Sequence, residues 1–212
     1  MPARGRLIAL EGIDGCGKST QARALADALG ARLTFEPGAT PIGAQLRQLL
    51  LAPNAPVPSP RAEALLMAAD RAEHVARVLE PALAAGEWVV SDRYAASTIA
   101  YQGYGQGLDP AGLDVLVGWA TGGLTADVSI LVDVSVEVAA RRLAAAGRGG
   151  SDRLERLGPA FAGRVREGFL AQAVADPAGW IVVDGQAEVG ALTAHIVASV
   201  RDRLGEAPAP GR

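Results

Sequence analysis

The stretch Gly12-Ile13-Asp14-Gly15-Cys16-Gly17-Lys18-Ser19 decides the fold, because it spells the pattern G-x-x-x-x-G-K-S. In this pattern backbone N–H groups wrap the phosphates of a nucleotide, the lysine reaches the β- and γ-phosphates, and the serine hydroxyl is a ligand of Mg²⁺. Lys18 is the only lysine among the 20 basic residues of the chain. At the β- and γ-phosphates the lysine acts as a compact point charge, a role that the broad planar guanidinium fits poorly. The pattern predicts an ATP site formed by Gly12, Ile13, Asp14, Gly15, Cys16, Gly17, Lys18, Ser19 and Thr20.

The sequence on both sides of this loop supports the same interpretation. Leu7 to Leu10 form a continuous apolar run, which is typical of a strand buried on both faces of a parallel sheet. After the loop, Ala22, Leu25 and Leu29 recur at helical spacing, and Gly30 is a suitable C-terminal cap. Strand, glycine loop and helix N-terminus together point a helix dipole at an anion. A glycine-rich turn that matched by accident would lack this context.

Apolar strand candidates alternate with helical patterns along the rest of the chain, which favours a mostly parallel sheet covered by helices on both faces. The pattern therefore predicts an α/β protein with three layers, α/β/α, around a five-stranded parallel sheet. We expect one domain over residues 1–204 and a disordered tail over 205–212. The predicted strands cover residues 6–11, 31–35, 87–91, 128–133 and 180–184. The predicted helices cover residues 18–29, 42–51, 60–85, 93–101, 110–119, 135–146, 158–175 and 188–204.

Composition excludes several classes of protein. The formal net charge of −3 leaves no basic surplus to neutralise a nucleic-acid backbone. No apolar run approaches the length that spans a bilayer, and the N-terminus lacks the apolar core of a signal peptide. One cysteine cannot form an internal disulfide and suits a reducing compartment. We expect a cytoplasmic protein with no nucleic-acid or membrane partner.

The end of the third predicted strand carries Asp92 and Arg93. Ligands in such sheets bind beyond the carboxyl ends of the strands. An aspartate there can hold the hydration shell of Mg²⁺, so Ser19 and Asp92 are the predicted metal residues. Arg93 would direct its donors at a second phosphate, which ATP binding alone does not require. The alternative for Asp92 and Arg93 is a surface ion pair without a functional role.

Taken together, the motifs resemble the bacterial thymidylate (dTMP) kinase family, within the P-loop nucleoside monophosphate kinases. The resemblance covers essentially the whole chain, and the order of the motifs is more specific than any one of them. It is carried by Glu11-Gly12-Ile13-Asp14-Gly15, Glu36-Pro37-Gly38, Asp92-Arg93-Tyr94, Ser97-Thr98, Ala100-Tyr101-Gln102-Gly103 and Asp152-Arg153-Leu154-Glu155. The resemblance implies transfer of the γ-phosphoryl group of ATP to dTMP, giving dTDP for dTTP synthesis. It also implies Mg²⁺ as the cofactor and a homodimer.

The resemblance further assigns roles at the acceptor. Arg71 would bond a thymine carbonyl, and Met67 would lie against the base where the family commonly has phenylalanine. Thr98 and Gln102 would bond the base edge, and Tyr101 would close the space beside C2′. Ordinary helix packing is the alternative for Thr98 and Tyr101. The dTMP-binding residues expected from the resemblance are Asp14, Glu36, Pro37, Arg47, Met67, Arg71, Arg93, Thr98, Tyr101 and Gln102.

The chain departs from the family pattern at three further positions besides Met67. Phe35 and Ala39 flank Glu36-Pro37-Gly38 where the family often has Arg and Gly, so a charge near the acceptor phosphate would fall to Arg47 and Arg93. Gly15 stands where one branch of the family has an arginine. The charge at the transferred phosphoryl group would then come from Arg148 and Arg153 in a lid over residues 147–156; a solvated loop is the alternative for these two arginines. With these arginines, the expected catalytic residues are Lys18, Arg93, Arg148, Arg153 and Asp14.

Two residues of the loop allow more than one interpretation. Asp14 would accept a hydrogen bond from the sugar 3′-hydroxyl, help to position the metal, or face solvent. Cys16 lies near a helix N-terminus and Lys18, which predicts a lowered thiol pKa and fast alkylation. The alternative is a buried, unreactive spacer.

Other functions remain open at this stage. The chain could be another P-loop small-molecule kinase, such as a deoxynucleoside or guanylate kinase, and Glu36 would then serve as the base of a nucleoside kinase. A regulatory GTPase reads guanine with an Asn-Lys-x-Asp element. The chain has no second lysine with which to build that element.

Overall fold

The computed structural model describes residues 4–147 and 153–207. Five parallel strands form one sheet: β1 (Leu7–Glu11), β2 (Arg32–Phe35), β3 (Val89–Asp92), β4 (Val128–Asp133) and β5 (Trp180–Asp184). Their order is β2-β3-β1-β4-β5. All pairs are parallel, with Leu10 opposite Asp92 and Phe35 opposite Asp92 on the other side. The carboxyl ends of β1, β2 and β3 therefore meet at one edge, and the predicted α/β/α fold with five parallel strands is confirmed.

Nine α-helices connect the strands within the described residues. They are α1 (Lys18–Leu29), α2 (Pro41–Leu51), α3 (Pro60–His74), α4 (Glu80–Ala84), α5 (Ala95–Thr98), α6 (Pro110–Thr121), α7 (Val136–Ala145), α8 (Gly158–Ala175) and α9 (Val189–Leu204). Polar side chains cap several of their N-termini: Thr40, Ser59, Asp109 and Ser135 each accept a backbone N–H from the first turn. Pro41, Pro60 and Pro110 follow three of these caps, where a missing N–H costs nothing.

Two predicted helices differ from the structure. The predicted helix 60–85 is one continuous run in which a π-helical turn, Val75–Leu79, separates α3 from α4. The predicted helix 93–101 begins two residues late, because Arg93 has a left-handed backbone with φ 75° and cannot start a helix. After α5 this helix continues as a second π-helical turn, Ile99–Gly105. Such turns are frequent at functional sites, and this one carries Tyr101 and Gln102.

The core lies on both faces of the sheet because successive residues of a strand point to opposite sides. On β1, Ile8 and Leu10 belong to a large cluster that includes α1, α8 and α9. Leu7 and Ala9 join a smaller cluster with the residues around Val75 and Leu83. Burial on both faces fixes the position of the loop that follows β1. Among the described residues, no helix has the length and apolar character needed to cross a membrane.

The remaining domain predictions lie partly outside the described residues. Half of the predicted lid, 148–152, falls there, and so does 208–212 of the predicted tail. Within the described part, the chain after the gap resumes with a 3₁₀ turn at Glu155–Leu157 and α8.

Candidate active site

A cavity of about 420 Å³ opens beyond the carboxyl ends of β1, β2 and β3. It lies where parallel α/β sheets bind their ligands. Most of the side chains singled out from the sequence surround it. The lining residues are Asp14, Lys18, Ser19, Phe35, Glu36, Pro37, Arg47, Leu51, Met67, Asp70, Arg71, Asp92, Arg93, Ser97, Thr98, Tyr101, Gln102 and Leu154.

The loop after β1 takes a backbone course that requires glycine. Gly12 and Gly15 have φ values of 144° and 85°. A Cβ at Gly15 would lie 2.5 Å from the carbonyl oxygen of Ala139 on α7. The arginine that one branch of the family carries here would therefore clash with α7. The loop ends at Gly17, which caps α1, so Lys18 and Ser19 stand in the first helical turn, where N–H groups attract anions.

Asp14 joins the two cations that were predicted to bind phosphates. Lys18 Nζ donates to Asp14 Oδ1 at 3.1 Å, and an Arg93 nitrogen donates to the same oxygen at 2.6 Å. The Tyr101 hydroxyl donates to Asp14 Oδ2 at 2.9 Å. Burial opposes ionisation of Asp14, but the charges of Lys18 and Arg93 and the Tyr101 hydrogen bond outweigh it and hold its pKa well below the usual range. The Asp14 side chain is 28% exposed toward the cavity, but both of its oxygens accept hydrogen bonds from neighbouring donors.

Arg93 is fixed from several directions. It donates to the carbonyl oxygen of Gly12 at 3.0 Å and to Ser97 Oγ at 3.1 Å. Its guanidinium lies 4.8 Å from the centre of the Tyr101 ring. A left-handed backbone at a non-glycine residue costs free energy, and such strain is concentrated at functional sites. The surroundings of Arg93 thus hold its donors in one place at the cavity wall.

A second buried network holds Arg71. Arg71 donates to Glu36 Oε2 at 2.9 Å, to Thr98 Oγ1 at 2.6 Å and to the Tyr94 carbonyl oxygen at 2.9 Å. The other Glu36 oxygen lies 2.8 Å from His74 Nδ1. Both oxygens of Glu36 are therefore engaged. This arrangement leaves it poorly suited to the role of a nucleoside kinase base.

The cavity beside this network is also lined by Met67, Arg47 and Gln102. Met67 stands one turn before Arg71 on α3, as the spacing predicts, and both line the cavity. Arg47 donates to the Pro37 carbonyl oxygen at 2.7 Å and lies 6.0 Å from the centre of the Phe35 ring. The Glu36–Pro37 peptide bond is cis.

Asp92 is the residue whose surroundings fit a metal. It is the last residue of β3 rather than the first one after it. Its Oδ1 is buried and has no hydrogen-bond partner in the described chain. A buried polar atom without a partner is costly. The Ser19 hydroxyl lines the same cavity. Mg²⁺ in kinases commonly takes one or two such protein oxygens and completes its shell with phosphates and water, so these two residues fit it.

The two predicted lid arginines are placed differently. Arg148 lies outside the described residues. Arg153 is buried; its guanidinium forms an ion pair with Glu63 and donates to the Leu50 carbonyl oxygen at 3.1 Å. Arg153 does not line the cavity, although its neighbour Leu154 does. Its catalytic role stays a prediction.

The prediction of an acidic thiol at Cys16 is wrong. The side chain is buried, and burial raises its pKa above the usual value despite the charge of Lys18. Loss of solvation outweighs the helix terminus here. The unreactive interpretation of Cys16 agrees with the structure.

Sequence reasoning missed four charged residues near the site. Asp70 accepts the Gly38 N–H, and burial with the neighbouring Glu36 charge raises its pKa to about 6. Glu63 stands at i−4 from Met67 and i−8 from Arg71, so helical spacing places it on the same side of α3 as these two residues. Glu11 ends β1, and Arg142 donates to the carbonyl oxygens of Cys16 and Gly185 at 3.0 and 2.9 Å. No sequence signal marks Arg142 among the many arginines.

Comparison with known proteins agrees with this geometry. The thymidylate kinase family model matches residues 10–196. The thymidylate kinase of Synechococcus sp. (strain RCC307) is 53% identical over 177 residues, which cover 78% of this chain and 82% of the relative. The thymidylate kinase of Bdellovibrio bacteriovorus is 41% identical over 213 residues, 96% of this chain and 99% of the relative.

A solved structure resembles the whole fold. The crystal structure of thymidylate kinase from Ehrlichia chaffeensis superposes with a TM-score of 0.77 at 29% identity, covering 94% of this chain and 100% of that one. The matched range includes the phosphate loop and all the residues that line the cavity. The chain belongs to the thymidylate kinase family.

Proposed function

We propose that the cavity beyond β1, β2 and β3 is where the chain carries out the reaction of its family, transfer of the γ-phosphoryl group of ATP to the 5′-phosphate of dTMP. The products are dTDP and ADP. One observation carries the assignment of the site: Lys18 and Arg93 donate to the same oxygen of Asp14. Lys18 of the phosphate loop and Arg93 at the end of β3 thus converge on one point. Donor and acceptor phosphates have to meet at such a point.

The chemistry needs positioning more than acid–base catalysis. The acceptor phosphate is already ionised, so no strong base is required. Lys18 stabilises charge on the moving phosphoryl group, and Arg93 holds the acceptor phosphate in line with it. The Asp14 carboxylate orients both cations and would accept a hydrogen bond from the acceptor sugar. Tyr101 fixes Asp14 from the other side.

Mg²⁺ is part of this proposal. Ser19 and Asp92 would hold it, and the orphaned Oδ1 of Asp92 supports the assignment. When bound there, the ion would supply positive charge that stabilises the phosphates of ATP. The protein residues supply its position at the edge of the cavity.

The acceptor wall is suited to a pyrimidine monophosphate. Arg71 is held by Glu36 and Thr98 and lines the cavity, where its remaining N–H groups would bond a base carbonyl. Gln102 offers an amide to the base edge, and Met67 supplies a polarizable surface for the ring. Tyr101 stands beside Asp14, where it would limit the space for a 2′-hydroxyl.

The test is a substrate profile. ADP release is measured with ATP, Mg²⁺ and each of dTMP, dUMP, dGMP, GMP and thymidine. We expect the highest kcat/KM with dTMP and little activity with thymidine, which lacks the phosphate that Arg93 holds. Preference for thymidine would favour a nucleoside kinase, and preference for GMP a guanylate kinase.

We also propose that two chains pair through the face formed by α2, α3 and α6. Large apolar side chains are exposed on it: Val115 at 74% and Trp119 at 81% on α6, and Leu65 at 59% on α3. Val115 and Trp119 are one helical turn apart and share a face. Apolar patches of this kind mark interaction surfaces.

Light scattering at micromolar concentration tests the dimer. Trp119→Asp is expected to give monomers. Val174→Asp, at an equally exposed valine on α8, is the matched control and should stay dimeric. A wild-type monomer would contradict the proposal. We further propose a cytoplasmic location, which suits the single cysteine and can be tested by cell fractionation.

A further inference from the structure

We propose that Glu63, which does not line the cavity, fixes the orientation of the Gln102 side-chain amide and thereby selects which pyrimidine base the acceptor site accepts. This inference rests on the proposed function, because Gln102 acts on the base there. Glu63 is a positioning residue: it touches no substrate and works through Gln102.

Glu63 is a fully buried carboxylate on α3. Its Oε1 accepts the Gln102 Nε2 at 2.8 Å and the Gln106 Nε2 at 2.5 Å. Its Oε2 forms the ion pair with Arg153. A carboxylate can only accept hydrogen bonds, and a buried one is costly unless donors surround it. Glu63 therefore requires a donor from each of these neighbours.

This requirement leaves Gln102 a single orientation. If its amide were reversed, Gln102 Oε1 would face Glu63 Oε1, and two acceptors would repel each other at hydrogen-bond distance. Gln106 gives an independent sign of the same constraint. Its own Oε1 is buried without a hydrogen-bond partner in the described chain, while its Nε2 bonds to Glu63. The hydrogen bond that Gln106 Nε2 donates to the Glu63 carboxylate therefore outweighs the cost of leaving Gln106 Oε1 without a donor.

The constraint decides what Gln102 offers to a ligand. Gln102 lines the cavity, and with Nε2 bound to Glu63 its free group is the Oε1 acceptor. Within the described residues this oxygen has no hydrogen-bond partner and is not among the fully buried atoms that lack one. Gln102 is only 2% exposed, and the surface it retains belongs to a residue that lines the cavity, so this oxygen is the group it can offer there. Thymine and uracil carry a donor at N3, whereas cytosine carries an acceptor there. The fixed amide pairs with the first two bases and repels the third.

Two determinants then act on the base. In this proposal Arg71 pairs with the carbonyl at position 4, where cytosine has an amino group instead, and the Glu63–Gln102 pair favours a proton on N3. A site built to pair with a polar group discriminates strongly against an analogue that cannot pair. Removing only the second determinant should weaken the discrimination without abolishing it.

Glu63→Gln tests the inference. The substitution keeps the shape but allows the residue at 63 to donate, so Gln102 can turn its Nε2 toward the cavity. The readout is kcat/KM for dTMP, dUMP and dCMP. We expect the dUMP-to-dCMP ratio to fall about tenfold, which corresponds to one hydrogen bond of discrimination. It should stay above one because Arg71 is intact. The dTMP-to-dUMP ratio should not change, since both bases carry N3–H.

Gln106→Met is the matched control. It removes one donor from Glu63 and does not line the cavity, so the dUMP-to-dCMP ratio should equal that of the wild type. If Glu63→Gln does not fold, the double variant Glu63→Met with Arg153→Met replaces the ion pair by apolar side chains of similar size, a change that buried pairs often tolerate. The same fall in the ratio is expected.

A folded Glu63→Gln enzyme that keeps the wild-type dUMP-to-dCMP ratio would overturn this inference. The proposed function would stand in that case, because wild-type activity with dTMP is measured in the same assay. A wild-type enzyme without measurable activity on dTMP would instead overturn the proposed function.

Discussion

At the scale of single residues, Asp14 is the side chain whose role changes most between sequence and structure. An acidic residue in an anion-binding loop is unfavourable if it faces the phosphates. In the structure it accepts hydrogen bonds from Lys18, Arg93 and Tyr101, which makes it the common partner of the donors around it. The residue types could be predicted from the motif, but this shared contact could not, because it joins side chains that are far apart in sequence.

Tyr101 has two separable roles at this scale. Its ring packs edge-on against Phe161 and Phe169, with centroids 6.1 and 6.2 Å away, and its hydroxyl bonds Asp14 and Arg93. Tyr101→Ala should relax the preference of kcat/KM for dTMP over its ribose counterpart. Tyr101→Phe should keep that preference and lower kcat/KM about tenfold through the lost hydrogen bonds. If Tyr101→Ala keeps the wild-type preference, Tyr101 is only a packing residue.

Glu11 gives a prediction about stability and pH. Burial raises its pKa from 4.5 to about 7, against the opposing hydrogen bond from Ser97 and the charge of Arg93. Between these two pH values the folded chain holds a proton that the unfolded chain has released, so the free energy of unfolding falls as pH rises. The cost above pH 7 is on the order of 3 kcal/mol.

Glu11→Gln removes this titration. Relative to the wild type, its free energy of unfolding in urea should rise by on the order of 3 kcal/mol between pH 4.5 and pH 8. Other titrating groups, such as Asp70, are present in both proteins and cancel in the difference. Parallel pH curves for the two proteins would show that Glu11 titrates normally.

At the scale of elements, the positions of helices and strands could be predicted from the sequence, but the π-helical turns within two of the helices could not. The predicted run 60–85 is helical in the structure. The two π-helical turns have no local signature, because they arise from tertiary contacts. The late start of α5 likewise follows from the left-handed Arg93, which contacts with Gly12, Asp14 and Ser97 hold in place.

Arg148 and Arg153 both precede α8 in the sequence, and we expect different roles for them: stability for Arg153 and catalysis for Arg148. Removing the Arg153 side chain leaves the buried Glu63 without its cation, which typically costs about 3–5 kcal/mol. Arg153→Ala should therefore lower Tm by about 10 °C. Arg148→Ala should leave Tm unchanged and lower kcat more than it raises KM, as expected of a group that meets the phosphoryl group mainly in the transition state.

Thermal melts and steady-state kinetics of both variants decide between these roles. If Arg153→Ala keeps the wild-type Tm but loses kcat, Arg153 is the catalytic arginine and its ion pair with Glu63 is dispensable. If Arg148→Ala has wild-type kinetics, another group supplies the charge that Gly15 cannot.

At the scale of the whole molecule, the fold could be predicted because the signals are long and repeated: one phosphate loop, five apolar strands and the helices between them. The strand order could not, since it depends on long-range pairing. That order places β3 between β1 and β2, which brings Asp92 and Arg93 beside the loop and Glu36 across from it. The candidate site is thus a product of topology as much as of motif.

The most direct test of the central claim follows the phosphoryl group itself. Enzyme is incubated with Mg²⁺, dTMP and ATP labelled in the γ-phosphate, and the products are separated by chromatography. We predict that the label appears in dTDP, and that folded Lys18→Ala forms it at least about 10³-fold more slowly. Label in inorganic phosphate alone, or equal rates for the two proteins, would contradict phosphoryl transfer to dTMP at this site.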